Sequence, residues 1–213
     1  AYEIRPRDWS SDVCSSDLNL VTNPLAIVVG ANLKYTTLQQ MIGEAKQGGK
    51  VSCGIIGAGS HTHINLELLK LASGAELTRI PYSGGTGPII NDMLGGHLDC
   101  TSLVWPAVEA LVKAGKFRAL AVTSPIRAFP QVPTFAQQGF PQANLEVFFA
   151  IFGPAGLPQD VLARLVPAFE RTMKNPAYVE KMESMGFSLQ FQGPKELATR
   201  LQHELQVVGE EIG

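Results

Sequence analysis

The chain is short of several things, and each shortage narrows what it can be. Three cysteines in 213 residues are too few for a disulfide framework. No apolar run approaches the ~18 residues that a membrane-spanning helix needs. Charge of one sign is lacking too: 17 basic residues stand against 19 acidic ones, a formal net charge of −2. That balance excludes a nucleic-acid binder that works through a basic face. There is no Cys/His cluster with metal-ligand spacing, so neither a metal nor a cofactor is expected. Internal repeats and low-complexity tracts are also missing. What is present is a 45% hydrophobic content, enough for a sizeable core, in a length that suits one large domain or two small ones.

The first eighteen residues, AYEIRPRDWSSDVCSSDL, follow neither a helical nor a strand period and carry no secretory pattern. Residues 8–18 match one reading frame of a common short-read sequencing adapter, and Ala1-Tyr2-Glu3 matches its upstream part. The segment is therefore expected to be a translated oligonucleotide with no part in the fold. It holds two basic and four acidic residues, so residues 19–213 carry 15 of each and no net charge. Cys14 and Trp9 leave with it, which keeps Cys53, Cys100 and Trp105.

The rest reads as alternating strands and helices. Strands are expected near 25–29, 51–56, 77–81, 98–103 and 119–123, from short β-branched or apolar runs bounded by glycine or proline. Helices fit between them, the first capped by Thr36 or Thr37 and running to about Lys46, the others at 61–72, 88–94 and 106–114. Strict β-α alternation with short links predicts a parallel sheet covered on both faces. The period changes after Ser124, where Pro125, Pro130, Pro133 and Pro141 mark an extended connection. A strand at 147–152, helices at 159–174 and 176–185, a strand at 187–191 and a helix from Pro194 complete the chain. Cys53 and Cys100 fall in neighbouring strands and read as small buried hydrophobes rather than a disulfide.

Two turns could carry chemistry. Gly57-Ala58-Gly59-Ser60-His61-Thr62-His63 joins a strand to a helix, and Gly84-Gly85-Thr86-Gly87 does the same after Pro81-Tyr82. Each exposes backbone N–H groups at a helix N-terminus, where partial positive charge favours an anion. Both lie at the carboxyl ends of strands, where open α/β sheets bind ligands. Ser60 adds a hydroxyl and His63 a ring N–H. Ordinary βα turns, with Ser60 merely capping its helix, would have the same spacing. Trp105 follows a strand end on the same rim and fits a pocket wall or the core. His61 and His63 fall on different helix faces and lack a third metal ligand. Ser60 is in no Gly-x-Ser-x-Gly elbow, and a triad of Ser60, His63 and Asp99 is not specified by this spacing.

Gly57-x-Gly59-Ser60-x-x-His63, Pro81-Tyr82-x-Gly84-Gly85 and Leu94-Gly95-Gly96-His97-Leu98-Asp99 occur in this order. They are followed by Gly115-Lys116-Phe117-Arg118-Ala119-Leu120-Ala121-Val122-Thr123-Ser124, Val132-Pro133-Thr134 and Pro154-Ala155-Gly156-Leu157-Pro158. Together they resemble the solute-binding receptors of tripartite tricarboxylate transporters, the Bug family. The resemblance spans residues 19–213. It implies an α/β, two-lobed type II periplasmic binding protein that closes over a small organic carboxylate. Such a receptor is periplasmic, monomeric when complete, passes its ligand to membrane permease subunits, and is not an enzyme. It puts one lobe at 33–123 and the other at 19–32 with 124–213. The first βα units of that other lobe and a signal peptide are expected upstream of this fragment.

The ligand-binding residues that the motifs imply are Gly57, Ala58, Gly59, Ser60, His63, Tyr82, Gly84, Gly85 and Thr86, with Trp105 beside them. The family often has lysine between Tyr82 and Gly84; here it is Ser83. An Asp-Asn pair common before Pro106 is replaced by Leu103-Val104, next to Trp105. The expected ligand therefore has an apolar or aromatic body with a carboxylate at one end. An acyl-transfer enzyme using Ser60 and His63, and a ligand-responsive signalling receptor, are the alternatives. The C-terminal segment, without its central strands, is expected to leave apolar faces uncovered.

Overall fold

The computed structural model describes residues 18–153, 157–185 and 187–212. The segment 1–17 and the Pro154-Ala155-Gly156 part of the last motif lie outside the described residues. In chain order the strands are β1 (Leu18–Asn23), β2 (Leu25–Gly30), β3 (Val51–Ile55), β4 (Leu77–Pro81), β5 (Cys100–Val104), β6 (Phe117–Val122), β7 (Val147–Ile151) and β8 (Ser188–Gln192). The α-helices are α1 (Leu38–Lys46), α2 (His61–Ser73), α3 (Thr86–Leu94), α4 (Trp105–Lys113), α5 (Gln159–Met173), α6 (Pro176–Ser184) and α7 (Pro194–Ile212). Two compact units divide the chain, one of residues 23–147 and one of residues 18–22 with 148–207.

The larger unit is built on a five-stranded sheet in the order β4-β3-β5-β2-β6. β3 pairs in parallel with β4 and with β5, while β2 runs antiparallel to both of its neighbours, β5 and β6. The sheet is thus mixed, which corrects the expected all-parallel sheet. Parallel strands need a crossover between them, but a helical connection does not by itself make two strands parallel. β2 leads through α1 into β3 and yet runs antiparallel to β5, the strand that β3 parallels. β2 hydrogen-bonds on both sides inside this sheet. Every residue of β2 is buried, as a central strand covered on both faces requires.

Side chains fix the register. Asp99 Oδ2 accepts from the Ser52 N–H at 2.8 Å and the Ser52 hydroxyl at 2.7 Å, tying the start of β3 to the start of β5. Thr101 donates to the Gly54 carbonyl at 2.9 Å. Arg118 donates to the carbonyls of Tyr35 and Leu33 at 2.6 and 3.3 Å, and so anchors the loop after β2. Thr37 caps α1 by accepting from the Gln40 N–H. Gly74, in the left-handed region at φ 66°, closes α2 as glycine alone does cheaply.

Cys53 and Cys100 are joined in a disulfide, which corrects the reading of two free buried thiols. The two residues are direct partners in the β3–β5 ladder, with Cα atoms 4.5 Å apart, inside the range a disulfide spans. Sequence position alone did not disclose that register.

The smaller unit holds a three-stranded sheet in the order β7-β1-β8, with β1 antiparallel to β8, and the helices α5 and α6. β1 was not anticipated, because its pattern includes buried Asn19, Thr22 and Asn23. Asn19 Nδ2 is satisfied by Gln190 O at 3.1 Å and Gln192 Oε1 at 3.0 Å on β8. Arg200 lies over the Phe148 ring, 4.8 Å from its centroid. Phe149, Phe152, Leu165 and Leu205 are exposed.

Candidate functional site

Because β3, β4 and β5 run in parallel, their carboxyl ends share one edge of the sheet. β3 leads through residues 56–60 into α2, β4 through residues 82–85 into α3, and β5 directly into α4. Three helix N-termini therefore start from this edge of the larger unit. Gly57, Ala58, Gly59, Ser60 and His63 come from the first of these turns, and Tyr82, Gly84, Gly85 and Thr86 from the second.

In the first turn Gly57 has φ 138° and Gly59 φ 75°, values that side-chain-bearing residues rarely adopt. The resulting bend exposes Ala58 and Gly59 and places Ser60 as the N-cap of α2. Ser60 Oγ accepts from the His63 backbone N–H at 3.3 Å and donates to the Gly57 carbonyl at 2.8 Å. Thr62, fully buried, accepts from the Ile56 N–H at 3.1 Å. The Gly59 N–H points at His63 Nδ1, 3.1 Å away. Behind the turn, buried Asn65 locks α2 in place: it donates to the Ala143 carbonyl at 2.6 Å and accepts from the Ser102 hydroxyl at 2.7 Å. Burial pushes the His61 imidazole below its ordinary pKa, favouring the neutral ring.

In the second turn Gly85, at φ 74°, is the N-cap of α3 and supplies no side-chain bond to that helix. The first turn of α3 is thus uncapped by a side chain and half-exposed at Gly85 and Thr86. A Cβ at Gly84 would lie 2.9 Å from Pro88 Cγ, so the residue must be small. The Tyr82 N–H donates to the Ile55 carbonyl at 2.9 Å, which links the two turns. The Tyr82 hydroxyl donates to Asp92 Oδ2 at 2.6 Å. Burial and this bond to a carboxylate push the phenol up to about 12.

Trp105 is only 2% exposed. Its ring packs edge-on against Phe129, with centroids 4.8 Å apart, so it backs the rim from the core side. Leu103 is also buried, and Val104 is half-exposed at the rim.

A group the motifs did not contain stands beside His63. Arg79 Nη1 lies 2.6 Å from His63 Nε2 and 3.0 Å from Glu67 Oε1. Lys70 is 3.8 Å from Glu67 and 3.7 Å from Glu76. The i, i+4 spacing of His63 and Glu67 on α2 was a readable signal. Arg79 had none, since only the β3–β4 pairing brings it close. Asp99 sits at the opposite end of β5 with its carboxylate on Ser52, so it forms no triad with His63. Ser60 Oγ bonds the Gly57 carbonyl and lies 2.9 Å from Thr62 Oγ1; it does not bond the His63 ring. Among the described residues no group of three His, Cys, Asp or Glu side chains could hold a metal ion, and no helix is long and apolar enough to cross a membrane.

The fold is that of the periplasmic binding proteins. A TctC solute-binding protein from Polaromonas has the same fold, with TM-score 0.78, 22% identity, and coverage of 92% of this chain and 67% of that one. A protein of Rhodopseudomonas palustris solved with adipate matches with TM-score 0.74 and 25% identity, covering 90% and 66%. The chain belongs to the tripartite tricarboxylate transporter family receptors, whose profile matches residues 9–212. That match begins inside the segment 1–18. The chain is 33% identical over 166 residues to BugT of Bordetella pertussis, covering 76% of this chain and 51% of BugT. It spans about half the length of the curated relatives it matches.

Proposed function

We propose that the chain is part of a periplasmic receptor that captures a small carboxylate-bearing organic anion and delivers it to the permease of a tripartite tricarboxylate-type transporter, without turnover. The observation that carries this reading is the pair of glycine turns on adjacent parallel strands, each opening N–H donors at a helix N-terminus. Donors in that arrangement stabilise an anion without a net positive charge on the protein. Gly57, Ala58, Gly59, Ser60, His63, Gly84, Gly85 and Thr86 are the proposed contacts. Tyr82 and Trp105 hold the rim from behind, one bonded to Asp92 and the other packed on Phe129. The adipate-bound relative supports a carboxylate ligand. Ser83 in place of a lysine, and half-exposed Val104 at the rim, favour an apolar body behind one carboxylate.

Titration calorimetry against adipate, benzoate and citrate tests the reading, with a thermal melt at saturating ligand. A receptor binds at one site, and its melting temperature rises because ligand binds only the folded form. Tight citrate binding with no binding of benzoate would refute the apolar body. Release of a chemically altered ligand would refute the receptor and favour the acyl-transfer enzyme, in which case Ser60→Ala should abolish release.

A further inference from the structure

We propose that Arg79 is a positioning residue that sets the tautomer of His63, making that ring a hydrogen-bond donor aimed at the carboxylate of the bound anion. This rests on the receptor reading and extends it to a residue outside the motifs. Both ring nitrogens of His63 face donors: the Gly59 N–H at 3.1 Å from Nδ1 and Arg79 Nη1 at 2.6 Å from Nε2. A guanidinium and a backbone N–H can only donate, and a neutral imidazole has one nitrogen that accepts. One of the two contacts must therefore give way.

Arg79 holds the stronger claim. Its contact is shorter, and hydrogen bonds from a charged donor are about twice as strong as neutral ones. Glu67 Oε1 pairs with the same Nη1 at 3.0 Å, and because Nη1 carries two N–H groups, one can serve the ring while the other faces the carboxylate. Nε2 then carries the lone pair and Nδ1 the proton, because the partner of one ring nitrogen fixes the state of the other. This leaves two N–H donors, from Gly59 and from His63 Nδ1, with their nitrogens 3.1 Å apart and no acceptor between them. A carboxylate oxygen, with two lone pairs and negative charge, can take both. A neutral amide oxygen takes them more weakly. The other charges around the ring are Glu67, 3.9 Å from Nε2, and Lys70, which pairs with Glu67 and Glu76.

Nitrogen-15 NMR of the imidazole, with and without adipate, reads the tautomer directly. The expected result is a protonated Nδ1 and an unprotonated Nε2 in the free protein; a protonated Nε2 would overturn the proposal. Arg79→Gln should shift the ring toward the Nε2–H form. It should also weaken adipate by about tenfold or more, the scale of one lost bond to a charged group, while leaving any binding of neutral adipamide unchanged. Arg79→Lys, also donor-only, should keep the Nδ1–H form. A ring unchanged in Arg79→Gln would refute the assignment. If the ring has the expected tautomer but the unmodified chain binds no adipate, the receptor reading for this ligand fails while the tautomer assignment stands.

Discussion

The Cys53–Cys100 bridge should account for a large share of the chain's stability. It closes a loop between residues 47 apart in sequence, through direct partners on β3 and β5. On the chain-entropy account, restricting a loop of that length in the unfolded state stabilises the fold by about 4 kcal/mol. Domains as a rule are stable by only about 5–15 kcal/mol, so the reduced chain is left marginal. With a urea m-value of about 2 kcal/mol per molar, the unfolding midpoint of the reduced chain should fall by about 2 M. Because both cysteines are fully buried, reductant must be supplied while the chain is unfolded. The assay is a pair of urea titrations, one oxidised and one refolded in dithiothreitol, followed by far-ultraviolet circular dichroism. Thiol titration of the unreduced, unfolded chain provides the control: of three cysteines, only Cys14 should react. Three reactive thiols, with coincident urea midpoints, would refute the bridge and restore the reading of two free buried cysteines.

Ser60→Ala removes the N-cap of α2 and should lower stability by about 1 kcal/mol, read from the urea midpoint. Asn65→Ala strips partners from the Ala143 carbonyl and the Ser102 hydroxyl at a fully buried site, and should cost about 2–4 kcal/mol in the same assay. The Tyr82 phenol is raised from 10.0 to about 12 in the fold. Its contribution to stability is therefore fully present below pH about 10 and is lost as pH rises from there through about 12. Tyr82→Phe should flatten that loss; an unchanged alkaline profile would contradict the Asp92 bond. Resequencing the gene from an independent library should return different codons for residues 1–18, and recovery of the same ones would show the segment to be native.

Much of the fold was legible because local signals and burial agreed. The glycine at 74, the threonine at 37 and the β-branched run from Leu25 each mark an element edge by its own chemistry, and the structure places caps and strand there. Alternation of strands and helices, however, reports connectivity rather than direction: β2 leads through α1 into β3 and yet runs against it. β1 was missed for a different reason: its buried polar residues break the apolar period, and partners such as Gln190 and Gln192 lie about 170 residues away. Amide side chains in a strand read as turn formers until those partners are known.

The same division holds at the candidate site. Glycine at 57, 59 and 85 was readable because only a backbone that turns into the left-handed region needs it at those places. Ser60 was readable as a cap. Arg79 was not, because its place beside His63 depends on strand register: Cys53 opposes Arg79, and Ile55, four residues before Gly59, opposes Pro81. A shift of one residue would send Arg79 to the other face of the sheet. The charge beside the ring is thus a product of the β3–β4 ladder. The missing lysine at Ser83 therefore does not leave the edge without a cation, since one stands a single imidazole away from the Gly59 N–H.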